Sequence, residues 1–114
     1  MVSIIVKPIA PKTPQLTSEV YVSMTSSRKE VATAGTRVPL AAASTPCKLV
    51  VITAETNNTG NITVGGNTVV AAEATRVGTP LAAGDSYGFN IDNLTKVYID
   101  STVNTDGVTF DYFT

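Results

Sequence analysis

Asn57-Asn58-Thr59-Gly60-Asn61-Ile62-Thr63-Val64-Gly65-Gly66-Asn67-Thr68-Val69-Val70-Ala71 is the stretch that decides how this chain is read. An Asn/Gly turn signal leads into residues 60–64. A second signal follows at Gly65-Gly66-Asn67, and residues 67–71 resume the β-branched pattern. Each run has strand length and falls short of a helix. The Gly65-Gly66 pair suits a primed two-residue hairpin turn, because both central residues of that turn need positive φ.

The same rhythm holds outward from this stretch, from about residue 31 to the C-terminus. Residues 36–41, 47–54, 86–91, 96–100 and 108–113 complete a set of seven strand candidates. Ser44-Thr45-Pro46, Ala83-Gly84-Asp85, Asp92-Asn93 and Asn104-Thr105-Asp106-Gly107 punctuate them. Short strands at this spacing predict an all-β fold, a β-sandwich or jelly roll over residues 31–114. Alternation places either Leu49 with Val51 or Val50 with Ile52 in the core. With them go Ile62, Val64, Val69, Tyr87, Phe89, Ile91, Val97, Ile99, Val108, Phe110 and Tyr112. No apolar pattern of helical period runs long enough for a helix, and residues 41–43 and 71–74 have room for a single turn each.

Composition agrees. The chain has 114 residues, of which 18 are Thr and 15 Val, so β-branched residues that favour pleated strands dominate. This is the length of one domain. The absence of His removes a His general base, a Ser–His–Asp triad and any His metal ligand. A single Cys removes an intrachain disulfide and a multi-Cys zinc site. No apolar stretch approaches the roughly 20 residues of a helical membrane span. The start, Met1-Val2-Ser3-Ile4-Ile5-Val6-Lys7-Pro8, has no basic lead and no small-residue cleavage site, so no signal peptide is expected.

The net charge of −1 conceals an asymmetry. Residues 1–37 carry Lys7, Lys12, Arg28, Lys29 and Arg37 against Glu19 and Glu30, a net +3. Residues 38–114 carry a net −4. A basic front end on an acidic body suggests an arm with its own partner. Pro8, Pro11 and Pro14 recur every third residue and favour an extended polyproline-like path. Residues 2–6 read as a short strand. Glu19-Val20-Tyr21-Val22-Ser23-Met24-Thr25 alternates like one, and residues 26–30 read as a polar hinge. The expected division is therefore an extended N-terminal arm over residues 1–30, for oligomerisation or attachment, and a sandwich over 31–114. Fully stretched, the arm reaches up to roughly 100 Å.

Other features favour plain structural readings. Thr36-Arg37-Val38-Pro39-Leu40-Ala41-Ala42 is echoed by Thr75-Arg76-Val77-Gly78-Thr79-Pro80-Leu81-Ala82-Ala83, as two related edges of a sandwich would be. Residues 100–107 are oxygen-rich, but Thr102 and Phe113 stand where a calcium loop needs its first and last ligands. The reading is a tight connection with Asp106-Gly107 supplying positive φ. The glycine-rich residues 59–68 lack the Lys-Ser/Thr of a phosphate loop. Three Asn-x-Thr matches, at Asn57, Asn61 and Asn93, are expected by chance in so Thr- and Asn-rich a chain. Cys47 reads as a small buried hydrophobe. Asp85, Asp92, Asp100, Asp106 and Asp111 read as a solvated face rather than a paired catalytic set.

Residues 33–113 also carry a resemblance. Its segments are Ala34-Gly35-Thr36-Arg37-Val38, Ser44-Thr45-Pro46-Cys47-Lys48-Leu49-Val50-Val51-Ile52 and Asn58-Thr59-Gly60-Asn61-Ile62-Thr63-Val64-Gly65-Gly66. They continue in Pro80-Leu81-Ala82-Ala83-Gly84-Asp85-Ser86, Asp92-Asn93-Leu94-Thr95-Lys96-Val97-Tyr98-Ile99-Asp100 and Asp106-Gly107-Val108-Thr109-Phe110. This body resembles a module of tailed-phage virion proteins, including capsid decoration (cement) proteins and head- or tail-fibre-like proteins. The resemblance implies a virion β-sandwich that oligomerises, often as a trimer, and brings no catalytic residues. The expected function is a cement protein on the capsid exterior, made in the host bacterial cytoplasm. Its expected partners are copies of itself and the phage major capsid protein, with no enzyme activity, cofactor, metal, nucleic acid or membrane. Ile4, Ile5, Val6, Lys7, Lys12, Val20, Tyr21, Val22, Arg28 and Lys29 are the candidate oligomer or capsid contacts. The alternative is a fibre module that recognises a host glycan, for which Tyr21, Tyr98 and Phe113 are the plausible outward aromatics.

Overall fold

The computed structural model describes residues 20–114. Eight strands form: β1 (Met24–Glu30), β2 (Val38–Pro39), β3 (Leu49–Ala54), β4 (Ile62–Gly65), β5 (Thr79–Leu81), β6 (Ser86–Asn90), β7 (Tyr98–Ser101) and β8 (Gly107–Phe113). They make two four-stranded antiparallel sheets, ordered β1-β8-β3-β6 and β2-β7-β4-β5. The first strand pairs with the last, the second with the seventh, the third with the sixth and the fourth with the fifth. That nesting is a long hairpin rolled up on itself, the double Greek key of a jelly roll. The all-β sandwich expected from the turn rhythm is the fold observed.

The core lies between the sheets. Register against β8 and β6 turns Val50, Ile52 and Ala54 inward, where all three are fully buried, and leaves Leu49, Val51 and Thr53 half-buried on the outer face. Ile62, Val64, Val97, Ile99, Val108 and Phe110 close the interior as alternation predicts. Val31, Leu40, Leu81 and Leu94 join them from strand ends and turns. Tyr87 departs from expectation: it lies at the open edge of the sandwich and is 37% exposed.

Four local readings are corrected. Residues 26–30, expected as a hinge, are the body of β1 and pair with β8 from Ser26↔Asp111 to Glu30↔Gly107. The last seven residues of the stretch assigned to the arm thus belong to the sandwich. Ladder hydrogen bonds outweigh the polar composition there, since an edge strand tolerates Ser, Arg, Lys and Glu.

The Gly65-Gly66 hairpin does not form. Residues 67–71 make only an isolated bridge, Val70↔Val77, and β4 pairs instead with β5. The positive φ belongs to Gly78, at 121°, where a Cβ would sit 2.7 Å from the Val64 carbonyl oxygen. The connection between β4 and β5 loops over the outer face of its own sheet before returning. Near the chain end, Thr105 takes the positive φ (69°) in place of Gly107, which lies in β8. Glycine serves at 107 because a Cβ would meet the Lys29 carbonyl oxygen at 2.7 Å.

The fourth correction concerns the acidic residues. Asp100 and Asp106 are 2% and 5% exposed, not parts of a solvated face. Asp100 sits opposite Thr63 on the outer face of its sheet, and residues 33–36 and 69–77 fold across both. Its Oδ2 accepts the Ala71 N–H at 2.9 Å, and its Oδ1 accepts those of Gly35 at 3.0 Å and Ser101 at 2.9 Å. Asp106 accepts the Thr59 and Gly60 N–H groups at 3.2 and 2.8 Å. Beside it, Asn58 exchanges two 2.9 Å hydrogen bonds with the Gly107 backbone, as a strand neighbour would. Both carboxyl groups staple loops to sheets.

The internal echo has a structural counterpart. Its two copies supply β2 and β5, the two edges of one sheet, and place Leu40 and Leu81 in the core immediately after or at the end of each strand. Of the two possible single turns, residues 73–75 form one and residues 41–43 do not.

Candidate interaction surface

The chain enters the sandwich along the edge of the β1-β8-β3-β6 sheet. Val22 and Ser23 donate backbone hydrogen bonds to the Thr114 carbonyl at 2.5 and 3.3 Å, and Thr114 N–H returns one to Ser23 at 3.0 Å. Lys48 Nζ donates to the Val20 carbonyl at 3.0 Å, drawing the segment across the end of the sheet towards β3. Tyr21 lies against Phe113, with ring centroids 5.5 Å apart at a 49° tilt. Aromatic pairs of this geometry are worth about 0.5–1.5 kcal/mol beyond the area they bury.

These anchors hold apolar side chains in solvent. Val20, Tyr21, Val22 and Met24 are 60, 36, 84 and 60% exposed. Only Val77 and Tyr87 join them among the exposed large hydrophobics of the described residues. A single exposed valine is ordinary, but four apolar residues within five positions form a patch, and patches mark contact sites. Register extends the patch: Met24, Phe113 and Leu49 stand in one cross-strand row on the outer face, with the half-buried Val51 two residues on.

The basic residues expected as contacts divide. Arg28 is committed within the chain, with its guanidinium 2.8 Å from Glu55 and 4.0 Å from Glu30. It and Glu30 guard the free edge of β1, since charge there discourages indiscriminate strand pairing. Lys29 lies on the opposite face, half-buried beside β8. Ile4, Ile5, Val6, Lys7 and Lys12 lie outside the described residues. The structure therefore groups Val20, Tyr21 and Val22 and separates them from Arg28 and Lys29. Met24, Leu49 and Phe113 were absent from the sequence-derived contact set, and only strand register shows that they share a face.

A second apolar feature opens at the opposite edge of the same sheet. Tyr87, Phe89 and Ile91 face residues of β4 and β5 across a groove of about 370 Å³. Tyr87 and Phe89 pack at 5.0 Å between centroids. Tyr98 and Phe113, considered as outward aromatics, are both half-buried.

Several other polar side chains brace turns and strand ends. Asn93 Oδ1 accepts from Thr45 N–H, Thr95 N–H and Thr95 Oγ1, which caps the short turn at Leu94–Lys96. Burial pushes the Cys47 thiol above its ordinary pKa, and the Asp92 charge adds to the shift. Its Sγ donates to the Ile91 carbonyl at 3.3 Å. The hydrogen bond from Lys96 and its positive charge lower the Asp92 pKa below the usual carboxylate value. Among the described residues, no three Cys, Asp or Glu side chains gather as metal ligands would, and no helix is long and apolar enough to cross a membrane. No family model, no curated protein and no solved structure matches this chain.

Proposed function

We propose that this chain is a structural virion protein, a decoration or cement protein that binds the outside of a tailed-phage capsid as a homotrimer. The observation that carries the reading is the run of exposed apolar residues at 20–24, which leads off the edge of a jelly roll into nineteen further residues. A cement protein must bridge neighbouring subunits over a wide footprint. A body of this size offers limited surface, and an extended arm adds contact area at little mass. The prolines at 8, 11 and 14 reduce the ordering entropy lost when such an arm docks.

The reading is tested on two levels. Analytical ultracentrifugation of the full chain is expected to give three times 11.9 kDa. Electron cryo-microscopy of the parent virion is expected to place jelly-roll density on the outer shell. Density confined to the tail, with saturable binding on a glycan array, would replace this reading by the fibre module. A monomer at all concentrations, absent from the shell, would refute it.

A further inference from the structure

The sandwich stands open between its edge strands β5 and β6. One wall of the groove is the inward face of β6, with Tyr87, Phe89 and Ile91. The other wall is formed by Gly65, Gly66 and Gly78 together with Val64, Thr79 and Val97. Gly78 has no room for a side chain, but a Cβ at Gly66 would meet nothing within 4 Å. No described residue fills this space, and Tyr87 is left partly in water.

The groove has a matching edge. Ile91 N–H donates to the Lys48 carbonyl and Ala54 N–H to the Asp85 carbonyl, which sets the alternation along the β3–β6 ladder. The backbone groups of Tyr87 and Phe89 therefore turn to β3. Those of Ser86, Gly88 and Asn90 turn to the free edge, with no strand partner among the described residues. An apolar slot beside a row of available backbone donors and acceptors is what an added strand requires. The ladder supplies affinity, and pockets for alternate side chains supply specificity.

We propose that residues 2–6 of a second copy of this chain, Val2-Ser3-Ile4-Ile5-Val6, add to β6 as a ninth strand with Val2, Ile4 and Val6 in the groove. This rests on the oligomer reading above and names the receiving site. Their alternation presents one fully apolar face, and a groove of about 370 Å³ holds aliphatic side chains of this size. Length allows a neighbour. The chain leaves the described body at Val20, held by Lys48 just ahead of β3, and β6 lies one strand spacing beyond, about 4.8 Å. Thirteen residues separate Val6 from Val20, with prolines at every third position near their start. On a polyproline path of about 3.1 Å per residue they span about 40 Å. That is long enough to reach the same groove on an adjoining copy, the partner the oligomer reading above calls for.

The test uses full-length chains. Gly66→Leu adds bulk at the rim of the groove, where a Cβ meets nothing within 4 Å, and Ile4→Asp with Val6→Asp spoils the strand without touching the body. Sedimentation equilibrium is expected to show each variant weakening self-association by about tenfold or more, because apolar contacts of this size are lost. Circular dichroism is expected to remain that of the unaltered chain. If the Gly66→Leu body misfolds, the arm variant alone decides. Mixing Ile4→Cys chains with Gly66→Cys chains is expected to give a disulfide-linked pair of different variants. A wild-type monomer overturns both the oligomer reading and this inference. A wild-type oligomer that tolerates the variants, or a link formed only within one doubly substituted chain, overturns this inference alone.

Discussion

Replacing Asp100 by Ala should destabilise this protein more than replacing any of its exposed carboxylates. Asp100 is 2% exposed and joins three separate stretches of chain. A buried donor left without an acceptor costs about 1–3 kcal/mol. The Ala71 N–H loses its acceptor outright, whereas Gly35 keeps a longer bond to the Ser101 carbonyl at 3.3 Å. Counting Ala71 in full, with partial losses at Gly35 and Ser101, gives about 4 kcal/mol. A chain of this length is stable by roughly 6–17 kcal/mol, so the loss is a large fraction of the total. In urea, with a slope of about 2 kcal/mol per M, the unfolding midpoint should fall by about 2 M. Asp100→Asn should lie between Ala and wild type, because it keeps one acceptor and presents a donor where the Ala71 N–H points. Glu73→Gln is the control: the Glu73 side chain is 79% exposed, its ion pair with Arg76 is 3.9 Å long, and no measurable shift is expected. If Asp100→Ala moves the midpoint no further than this control, the carboxyl group does not staple the loops and the reasoning fails.

Gly78→Ala should destabilise by about 2 kcal/mol or more, since φ is 121° and the added Cβ would press on the Val64 carbonyl. Gly66→Ala should unfold at nearly the wild-type midpoint, and equal effects at the two glycines would contradict the geometry. Cys47 should resist iodoacetamide at pH 8 while the protein is folded and react once urea unfolds it, because burial disfavours the thiolate. Rapid labelling of the native state would disprove its burial. Asp92 should titrate below an unpaired aspartate when followed by NMR, and Lys96→Met should raise its pKa towards the ordinary value. The folded pKa is depressed, so the contribution to stability is present above the unfolded value. It disappears as pH falls through the folded one, and the exposed position keeps it small. Val22→Asp should leave the unfolding free energy within about 0.5 kcal/mol of wild type, because Val22 is 84% exposed, yet weaken self-association. Unchanged sedimentation would remove the 20–24 patch from the contact surface.

The sequence by itself determined the fold class and most of the core. Turn residues are local: Ser44-Thr45-Pro46 or Ala83-Gly84-Asp85 breaks a strand whatever surrounds it, and alternation in 96–100 or 108–113 shows which side chains face one way. The echo of residues 36–42 in 75–83 hinted at two related edges, but β5 (Thr79–Leu81) was not among the strand candidates and only the pairing puts β2 and β5 at the two edges of one sheet. Tertiary structure decided everything that depends on which strands meet. In Leu49-Val50-Val51-Ile52 all four residues are apolar, so period two cannot choose a face, and only register against β8 puts Val50 and Ile52 inside. The Gly65-Gly66 turn was misread because β4 finds its partner fourteen residues later, and the intervening loop moves the positive φ to Gly78. Asp100 and Asp106 looked solvated because a strand's outer face is normally wet; loops from distant parts of the chain cover them. The contact surface divided in the same way. The apolar run at 20–24 is visible in the residues themselves, whereas its union with Leu49 and Phe113, and the groove at β6, arise only when separate segments are brought side by side.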